Sequence, residues 1–226
     1  MDRRAYLGAL GTGGTLALAG CVTGLFEDQP EDVILSPADD QRAESSNLPY
    51  PAYGEPLPSF ELVDPLSDTA IDTDQLDTTA ILTTFFAACP AECGVLIRRL
   101  AEVQSMTTQN GLTDAVDFFA ITFDPERDDA DMLRENAQMN SVDLEAGNWY
   151  YLRPGDDEEA SEIVEAQLGL EYERVDESER MESYDFNHIV VTFLVNPEGV
   201  VERAYRGETL DREQVFADIE TVVNQS

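Results

Sequence analysis

Residues 85–94 read FFAACPAECG and join an apolar segment to a helical one. The preceding run AILTT, residues 80–84, is apolar and rich in strand-forming residues. The following run VLIRRL, residues 95–100, has its apolar positions at helical spacing. The stretch therefore predicts a strand, a turn and a helix, with Cys89 and Cys93 at the junction.

The two cysteines are four residues apart, which places both sulfurs on one face of a helical turn. A helix N-terminus favours negative charge, so both thiols are inclined towards thiolate. Two close thiolates can bind a soft metal ion, and their Cα separation of roughly 6 Å also permits a disulfide. The pair alone leaves both interpretations open.

The composition is strongly acidic, with a formal net charge of −34 from 47 acidic and 13 basic residues. All the basic residues are arginine. This excess disfavours nucleic acid and anionic membrane surfaces as electrostatic partners. Molar salt shortens the Debye length to roughly 3 Å and screens the self-repulsion. Because the acids are spread through periodic segments, we interpret the charge as halophilic adaptation.

Residues 1–20 predict a signal peptide. The pair Arg3-Arg4 precedes a small, apolar stretch that is too short to remain as a spanning helix after cleavage. The pair resembles a twin-arginine export signal. The run LAGC, residues 18–21, resembles a lipobox, which makes Cys21 the lipid-modified first residue of the mature protein. We expect an exported protein, lipid-anchored at the outer face of the cytoplasmic membrane.

Residues 21–58 are rich in proline, acidic residues and serine, and they predict a disordered tether from the lipidated cysteine. Residues 59–226 predict the folded domain, with residues 171–186 as a loop and residues 188–195 as a buried strand. The order of predicted elements indicates a thioredoxin-like α/β sandwich, a central mixed β-sheet flanked by helices. Such a sheet puts the cysteine-bearing turn at its carboxyl edge, where ligands usually bind.

His188 is the only histidine in the chain. A lone histidine beside a strand is usually a packing residue. The predicted fold, however, brings the loop before the third core strand beside the cysteine-bearing turn. Cys89, Cys93 and His188 would then offer two sulfurs and one nitrogen, a ligand set that suits Cu(I), with zinc as an alternative. A structural zinc site would usually have a fourth ligand, and a purely structural disulfide also remains open.

The segment DPERD, residues 124–128, follows a core strand at the same edge of the sheet. For Asp128 we favour a helix N-cap. Asp124 ends the strand next to the cysteine-bearing turn, which makes it the stronger candidate for a functional role.

Four motifs occur in an order that resembles the Sco/SenC family of membrane-anchored, thioredoxin-fold copper chaperones for cytochrome oxidase assembly. The motifs are FFAACPAEC at residues 85–93, FDPERD at 123–128, WYYL at 149–152, and His188 followed by VNPEG at 195–199. Gly94, Asn187 and Asn196 depart from residues common in the family, and none of the three is at a ligand position.

The resemblance implies that Cys89, Cys93 and His188 are copper ligands, for Cu(I) with Cu(II) as an alternative. It implies that Asp124 occupies an acidic position linked to copper transfer. The expected function is delivery of Cu(I) to the binuclear copper site of cytochrome c oxidase subunit II, or to a similar copper protein. The upstream partner would be a copper donor or a thiol reductant.

An alternative is an enzyme, a thiol-disulfide reductase that keeps the cysteines of that same copper site reduced, with Cys89 or Cys93 as nucleophile. His188 favours a metallochaperone, because a simple dithiol reductase does not need it. A peroxiredoxin ranks third, because Phe86 stands where that chemistry needs a threonine.

The halophilic interpretation predicts that dialysis to low ionic strength removes the near-UV circular dichroism signal of the domain. The reason is that unscreened repulsion among the acidic side chains opposes the compact state. Retention of the full near-UV signal at low ionic strength would contradict this interpretation.

Overall fold

The computed structural model describes residues 30, 32–38, 43–89, 92–176 and 184–226. The predicted signal peptide, with Arg3, Arg4 and Cys21, lies outside these residues. Within the described part of the chain, no helix combines the length and the apolar character needed to cross a bilayer.

The described chain forms nine strands and four α-helices. They are β1 (Glu61–Asp64), β2 (Thr69–Asp72), β3 (Thr79–Phe85), α1 (Glu92–Gln109), β4 (Val116–Thr122), α2 (Ala130–Asn140), β5 (Trp149–Leu152), α3 (Asp157–Ser161), β6 (Tyr172–Asp176), β7 (Tyr184–His188), β8 (Val191–Val195), β9 (Val201–Arg206) and α4 (Arg212–Gln225). Helix α3 continues into a π-helical segment, Glu162–Gln167.

The core of the molecule is a five-stranded sheet in the order β5-β4-β3-β8-β9. Strand β3 pairs parallel with β4 and antiparallel with β8, so the sheet is mixed. All seven residues of β3 are buried, which explains its continuous apolar sequence. Helix α1 packs against α2 and α4. This arrangement is the predicted sandwich of a mixed sheet and flanking helices.

The segment after β3 and its turn forms helix α1 because its apolar residues recur at helical spacing. Leu96, Leu100 and Val103 are each at most 2% exposed and lie on one face of the helix. That face joins the core that also holds Phe85 at the end of β3. The helix therefore begins at a fixed place beside the sheet, and its first turn carries Cys93.

The structure corrects the predicted tether. Leu35, Tyr50 and Leu57 are 6%, 5% and 8% exposed and belong to the core. The N–H of Gly54 donates to the carbonyl of Val201 at 2.9 Å, so this segment covers the start of the edge strand β9. The prediction was wrong because the segment is mostly polar, and its few apolar residues, which pack into the core, form no local pattern in the sequence. The described residues from 32 to 58 are therefore part of the domain.

A buried carboxylate holds the first of these residues. Glu202 is 0% exposed and accepts hydrogen bonds from the N–H groups of Ile34 and Leu35, at 2.9 and 2.8 Å. It also accepts from the side-chain amide of Asn196 at 2.7 Å. The same amide donates to the carbonyl of Asp32 at 2.8 Å. Three donors compensate the buried charge, which makes Glu202 an anchor for residues 32–35.

The structure also corrects the predicted loop at residues 171–186. Strands β6 and β7 form an antiparallel hairpin in which Tyr172 lies opposite His188. The connecting residues 177–183 lie outside the described residues. The predicted strand 188–195 is two strands in separate sheets, because β7 ends at His188 and β8 begins at Val191. The many acidic residues of this region obscured the alternation of its aromatic ones.

The structure assigns the N-cap of α2 to Asp129, not to Asp128. The Asp129 carboxylate accepts from the N–H groups of Asp131 and Met132. Asp128 is 0% exposed, and its Oδ2 accepts from the N–H of Ala87 at 2.8 Å and from the hydroxyl of Thr122. Asp128 thereby joins the turn after β3 to the end of β4.

Burial raises the pKa of Asp128 to about 6, although the hydrogen bonds from Thr122 and Ala87 oppose the shift. The neighbouring Asp124 carboxylate raises it further, and Arg127 lowers it. The folded state therefore holds the proton of this carboxyl more strongly than the unfolded state does.

We expect Glu202→Ala to lower the free energy of unfolding by about 3 kcal/mol, because two backbone N–H groups and one amide lose a charged acceptor. Chemical denaturation at constant molar salt measures this. The matched control is Glu198→Ala, which removes an equal charge from an exposed turn position nearby. Equal stabilities of the two variants would show that residues 32–35 are not anchored through Glu202.

We expect the stability of the wild type relative to Asp128→Asn to depend on pH. Because the folded state binds this proton more strongly, the raised pKa stabilises the folded state in full at pH values below the ordinary pKa of 3.8. This stabilisation is lost as the pH rises through about 6. The wild type should therefore lose up to about 3 kcal/mol relative to the variant over this window. Denaturation curves at a series of pH values measure the difference. The control is Asp131→Asn, at a carboxylate that is 93% exposed, and its stability relative to the wild type should not change over this window. If the stabilities of the wild type and Asp128→Asn changed in parallel with pH, Asp128 would not titrate with a raised pKa in the folded state.

Candidate metal centre

The cysteine-bearing turn starts directly after β3. The N–H of Cys89 donates to the carbonyl of Phe86 at 3.3 Å, which closes the turn. Cys93, the second residue of α1, is 1% exposed, whereas Cys89 is half-buried. The N–H of Cys93 donates to the Sγ of Cys89 at 3.3 Å. An N–H at a helix N-terminus favours a thiolate at Cys89. The two cysteines are not joined by a disulfide.

His188 reaches this turn from the end of β7. Its Nε2 lies 3.7 Å from the Sγ of Cys93. The rings of Phe86 and Phe123 contact the imidazole, with centroid distances of 6.0 and 5.1 Å. Nδ1 is buried, and no hydrogen-bond partner for it occurs among the described residues. Nε2 is therefore the nitrogen that faces the sulfur.

The distance between Cys93 and His188 fits a shared metal ion. A thiolate at about 2.3 Å and an imidazole at about 2.0 Å from one ion, at a trigonal angle, are about 3.7 Å apart. The distance also fits a thiol–imidazole hydrogen bond in the metal-free protein. No group of three or more His, Cys, Asp or Glu side chains is arranged to hold a metal ion within the described ranges. The three side chains therefore do not form a preassembled three-ligand site, and the contact between Cys93 and His188 is the part of it that is already in place.

Asp124 lies at the end of β4, at the predicted edge of the sheet, and is 2% exposed. Its Oδ1 accepts from the Tyr184 hydroxyl at 2.8 Å, and its Oδ2 forms an ion pair with Nε of Arg127. One carboxylate oxygen therefore bonds Tyr184 of β7, and the other pairs with Arg127, whose guanidinium lies over the Tyr184 ring. Asp124 is thereby linked to β7, the strand that ends at His188.

Sequence reasoning missed Arg127 and Tyr184. The Arg127 guanidinium lies 3.7 Å from the centre of the Tyr184 ring and donates to the Tyr184 carbonyl at 2.8 Å. Burial, with the hydrogen bond to Asp124, raises the pKa of Tyr184, so its hydroxyl stays protonated and donates. The alternation of Tyr184, Phe186 and His188 was a sequence signal for one face of a strand. Arg127 gave no comparable signal.

A profile of the SCO1/SenC family matches residues 54–224 of the chain. No curated protein sequence matches the chain significantly.

Solved structures of Sco proteins share the fold. Copper-bound ScoI of Arabidopsis thaliana is 20% identical, with a TM-score of 0.61 over 75% of this chain and 98% of that one. A SCO1/SenC family lipoprotein of Bacillus anthracis is 18% identical, with a TM-score of 0.61 over 77% and 96%. Copper-bound yeast Sco1 is 19% identical, with a TM-score of 0.60 over 75% and 88%.

The family profile covers most of the chain, and these structures have the same thioredoxin-like sandwich as the one described above. The ordered motifs at the two cysteines, at Asp124 and at His188 lie within the matched residues. The chain therefore belongs to the SCO1/SenC family.

Proposed function

We propose that this protein is a copper-binding assembly factor that holds Cu(I) with Cys89, Cys93 and His188. It would deliver the ion to the binuclear copper site of cytochrome c oxidase subunit II or of a similar copper protein. The observation that carries the proposal is the 3.7 Å contact between Nε2 of His188 and Sγ of Cys93. It brings together residues that are 95 positions apart in the sequence.

The chemistry of these side chains supports a copper cargo. Two thiolates and one imidazole are a soft ligand set, which selects Cu(I) over hard cations. Cys93 is buried at the base of the site, and the half-buried Cys89 lies nearer to solvent. An acceptor thiolate could therefore replace Cys89 first, with the copper passing by ligand exchange and without a change in oxidation state. Solved relatives from Arabidopsis thaliana and yeast contain copper.

We further propose that the protein is exported and is anchored through a lipid on Cys21 at the outer face of the cytoplasmic membrane. The run LAGC at residues 18–21 supports this anchor. A relative from Bacillus anthracis with the same fold is a lipoprotein. An upstream copper donor or thiol reductant would keep the site loaded or reduced.

A second candidate function is thiol-disulfide reduction of the cysteines of the target copper site. The hydrogen bond from the N–H of Cys93 to the Sγ of Cys89 supports Cys89 as the nucleophile. Its thiolate would attack a target disulfide, and one target sulfur would leave as a thiolate. Cys93 would then displace the second target sulfur, leaving a Cys89–Cys93 disulfide and a reduced target. An external thiol reductant would regenerate the pair.

Anaerobic Cu(I) titration of the reduced protein against a competing chelator tests the copper proposal. Molar sodium sulfate is a suitable medium, because chloride at that concentration competes for Cu(I). We expect one ion per chain in the wild type. His188→Ala should weaken the affinity at least about tenfold, which corresponds to about 1.4 kcal/mol. The double variant Cys89→Ser/Cys93→Ser should lose binding.

Two results would contradict this assignment. Undiminished affinity in His188→Ala would exclude the three-ligand site, and undiminished affinity in the double cysteine variant would exclude copper binding by the pair. A wild type that binds no Cu(I) but reduces a disulfide of the target copper site would establish the reductase instead.

A further inference from the structure

Strands β6 and β7, which carry the candidate ligand His188, are separate from the central sheet. They form a two-stranded sheet of their own, outside the five-stranded order. A two-stranded hairpin is marginally stable at best in water. The position of His188 therefore depends on the contacts that fix this hairpin to the rest of the molecule.

One face of β7 makes most of those contacts, together with Tyr172 of β6, whose ring stacks on Phe123 at 4.8 Å. Tyr184, Phe186 and His188 alternate along the strand and so point to the same side. The ring of Phe186 packs edge-on against Phe86 and Phe123, with centroid distances of 5.1 and 5.3 Å. The same two rings contact the imidazole of His188. These apolar contacts place the strand near the cysteine-bearing turn, but rings packed on rings fix its position along the strand direction only weakly.

The directional contacts are at Tyr184, four residues before the ligand. Its hydroxyl donates to Oδ1 of the buried Asp124 at 2.8 Å, and its carbonyl accepts from Nη1 of Arg127 at 2.8 Å. The Arg127 guanidinium also forms an ion pair with Asp124 and stacks on the Tyr184 ring at 3.7 Å. Asp124 is 2% exposed, and its half-buried partners Arg127 and Tyr184 shield its carboxylate from bulk water, which strengthens these directional bonds.

We infer that Asp124, Arg127 and Tyr184 form a latch that positions His188 against Cys93. Tyr184 and Arg127 are then positioning residues for the copper site, and the inference rests on the function proposed above. The carboxylate of Asp124 acts through the hairpin, because both of its oxygens are bonded to latch residues. The latch sets how much of the protein population holds His188 against Cys93.

The test is Tyr184→Phe, which removes only the hydroxyl and keeps the ring between its neighbours. Without this donor, we expect the backbone amides of Tyr184–His188 to exchange with solvent about tenfold faster in the metal-free protein. We expect Cu(I) affinity to fall about tenfold, for the same reason. Tyr150→Phe is the matched control. Tyr150 lies on β5, an edge strand of the central sheet, and its hydroxyl donates to the Gly147 carbonyl at 3.0 Å, so its loss should change neither measurement.

A double-mutant cycle separates positioning from a general structural effect. In the His188→Ala background, Tyr184→Phe should leave Cu(I) affinity unchanged, because the residue acts only through His188. Arg127→Lys should reproduce both effects of Tyr184→Phe, since an ammonium cannot bond Asp124 and the Tyr184 carbonyl in the same planar geometry.

Three outcomes would overturn the latch. They are unchanged amide exchange in Tyr184→Phe, faster exchange with unchanged Cu(I) affinity, or an equal loss of affinity in the His188→Ala background. A wild type that binds no Cu(I) would instead refute the proposed function. Amide exchange in the metal-free protein would still show whether Tyr184 fixes the hairpin.

Discussion

Hydrogen bonding along both edges of β3 is the constraint on which the site depends. The strand is buried over its whole length and is held in register by β4 on one side and β8 on the other. Each group of site residues lies within a few positions of one of these three strands. The cysteines follow the end of β3, Asp124 follows the end of β4, and His188 precedes the start of β8. The central sheet therefore brings the chain segments that carry them to the same edge.

The segment from Asp124 to Asp128 supports both halves of the candidate metal centre. Asp128 accepts from the N–H of Ala87 and so supports the turn that carries the cysteines. Asp124, with Arg127, contacts the strand that carries His188. The two carboxylates do this in different electrostatic settings. Asp124 is paired with a guanidinium, whereas burial raises the pKa of Asp128. One short segment thereby couples the geometry of the sulfur ligands to that of the imidazole.

Much of this arrangement could be predicted from the sequence, because strong local patterns encode it. The apolar run of β3, the helical spacing of α1 and the order of the predicted elements placed His188 beside the cysteine-bearing turn, and in the structure its Nε2 lies 3.7 Å from the Sγ of Cys93. The prediction failed where long-range contacts determine the structure. Leu35 and Tyr50 are isolated apolar residues in a polar segment, and they are buried because β8 and β9 provide partners: the N–H of Leu35 bonds Glu202 of β9, and Tyr50 packs edge-on against Phe193 of β8. Asp128 resembles a helix cap in sequence. Its actual partners, Ala87 and Thr122, follow β3 and end β4, so only the pairing of these two strands brings them together.

The latch residues were unpredictable for a related reason. Arg127 and Tyr184 are 57 positions apart, and each is an ordinary surface type of residue in its own segment. Only the folded chain brings the guanidinium, the carboxylate of Asp124 and the phenol together in a partly buried cluster. By contrast, the cysteine pair is evident in the sequence because its two members are only four residues apart, although Cys93 alone lies within α1 and Cys89 precedes the helix.

The anchoring of residues 32–35 by Glu202 limits how far the domain can travel from a membrane. With the lipid on Cys21 that we propose, thirteen residue steps separate the anchor from Ile34, the first residue bonded to Glu202. A fully extended chain covers at most about 3.6 Å per residue, so this connection is no longer than about 47 Å. A tether reaching to residue 58 would permit nearly three times that distance. The domain would therefore stay in a thin layer next to the bilayer. It could deliver copper only to acceptors whose copper sites lie near the membrane surface.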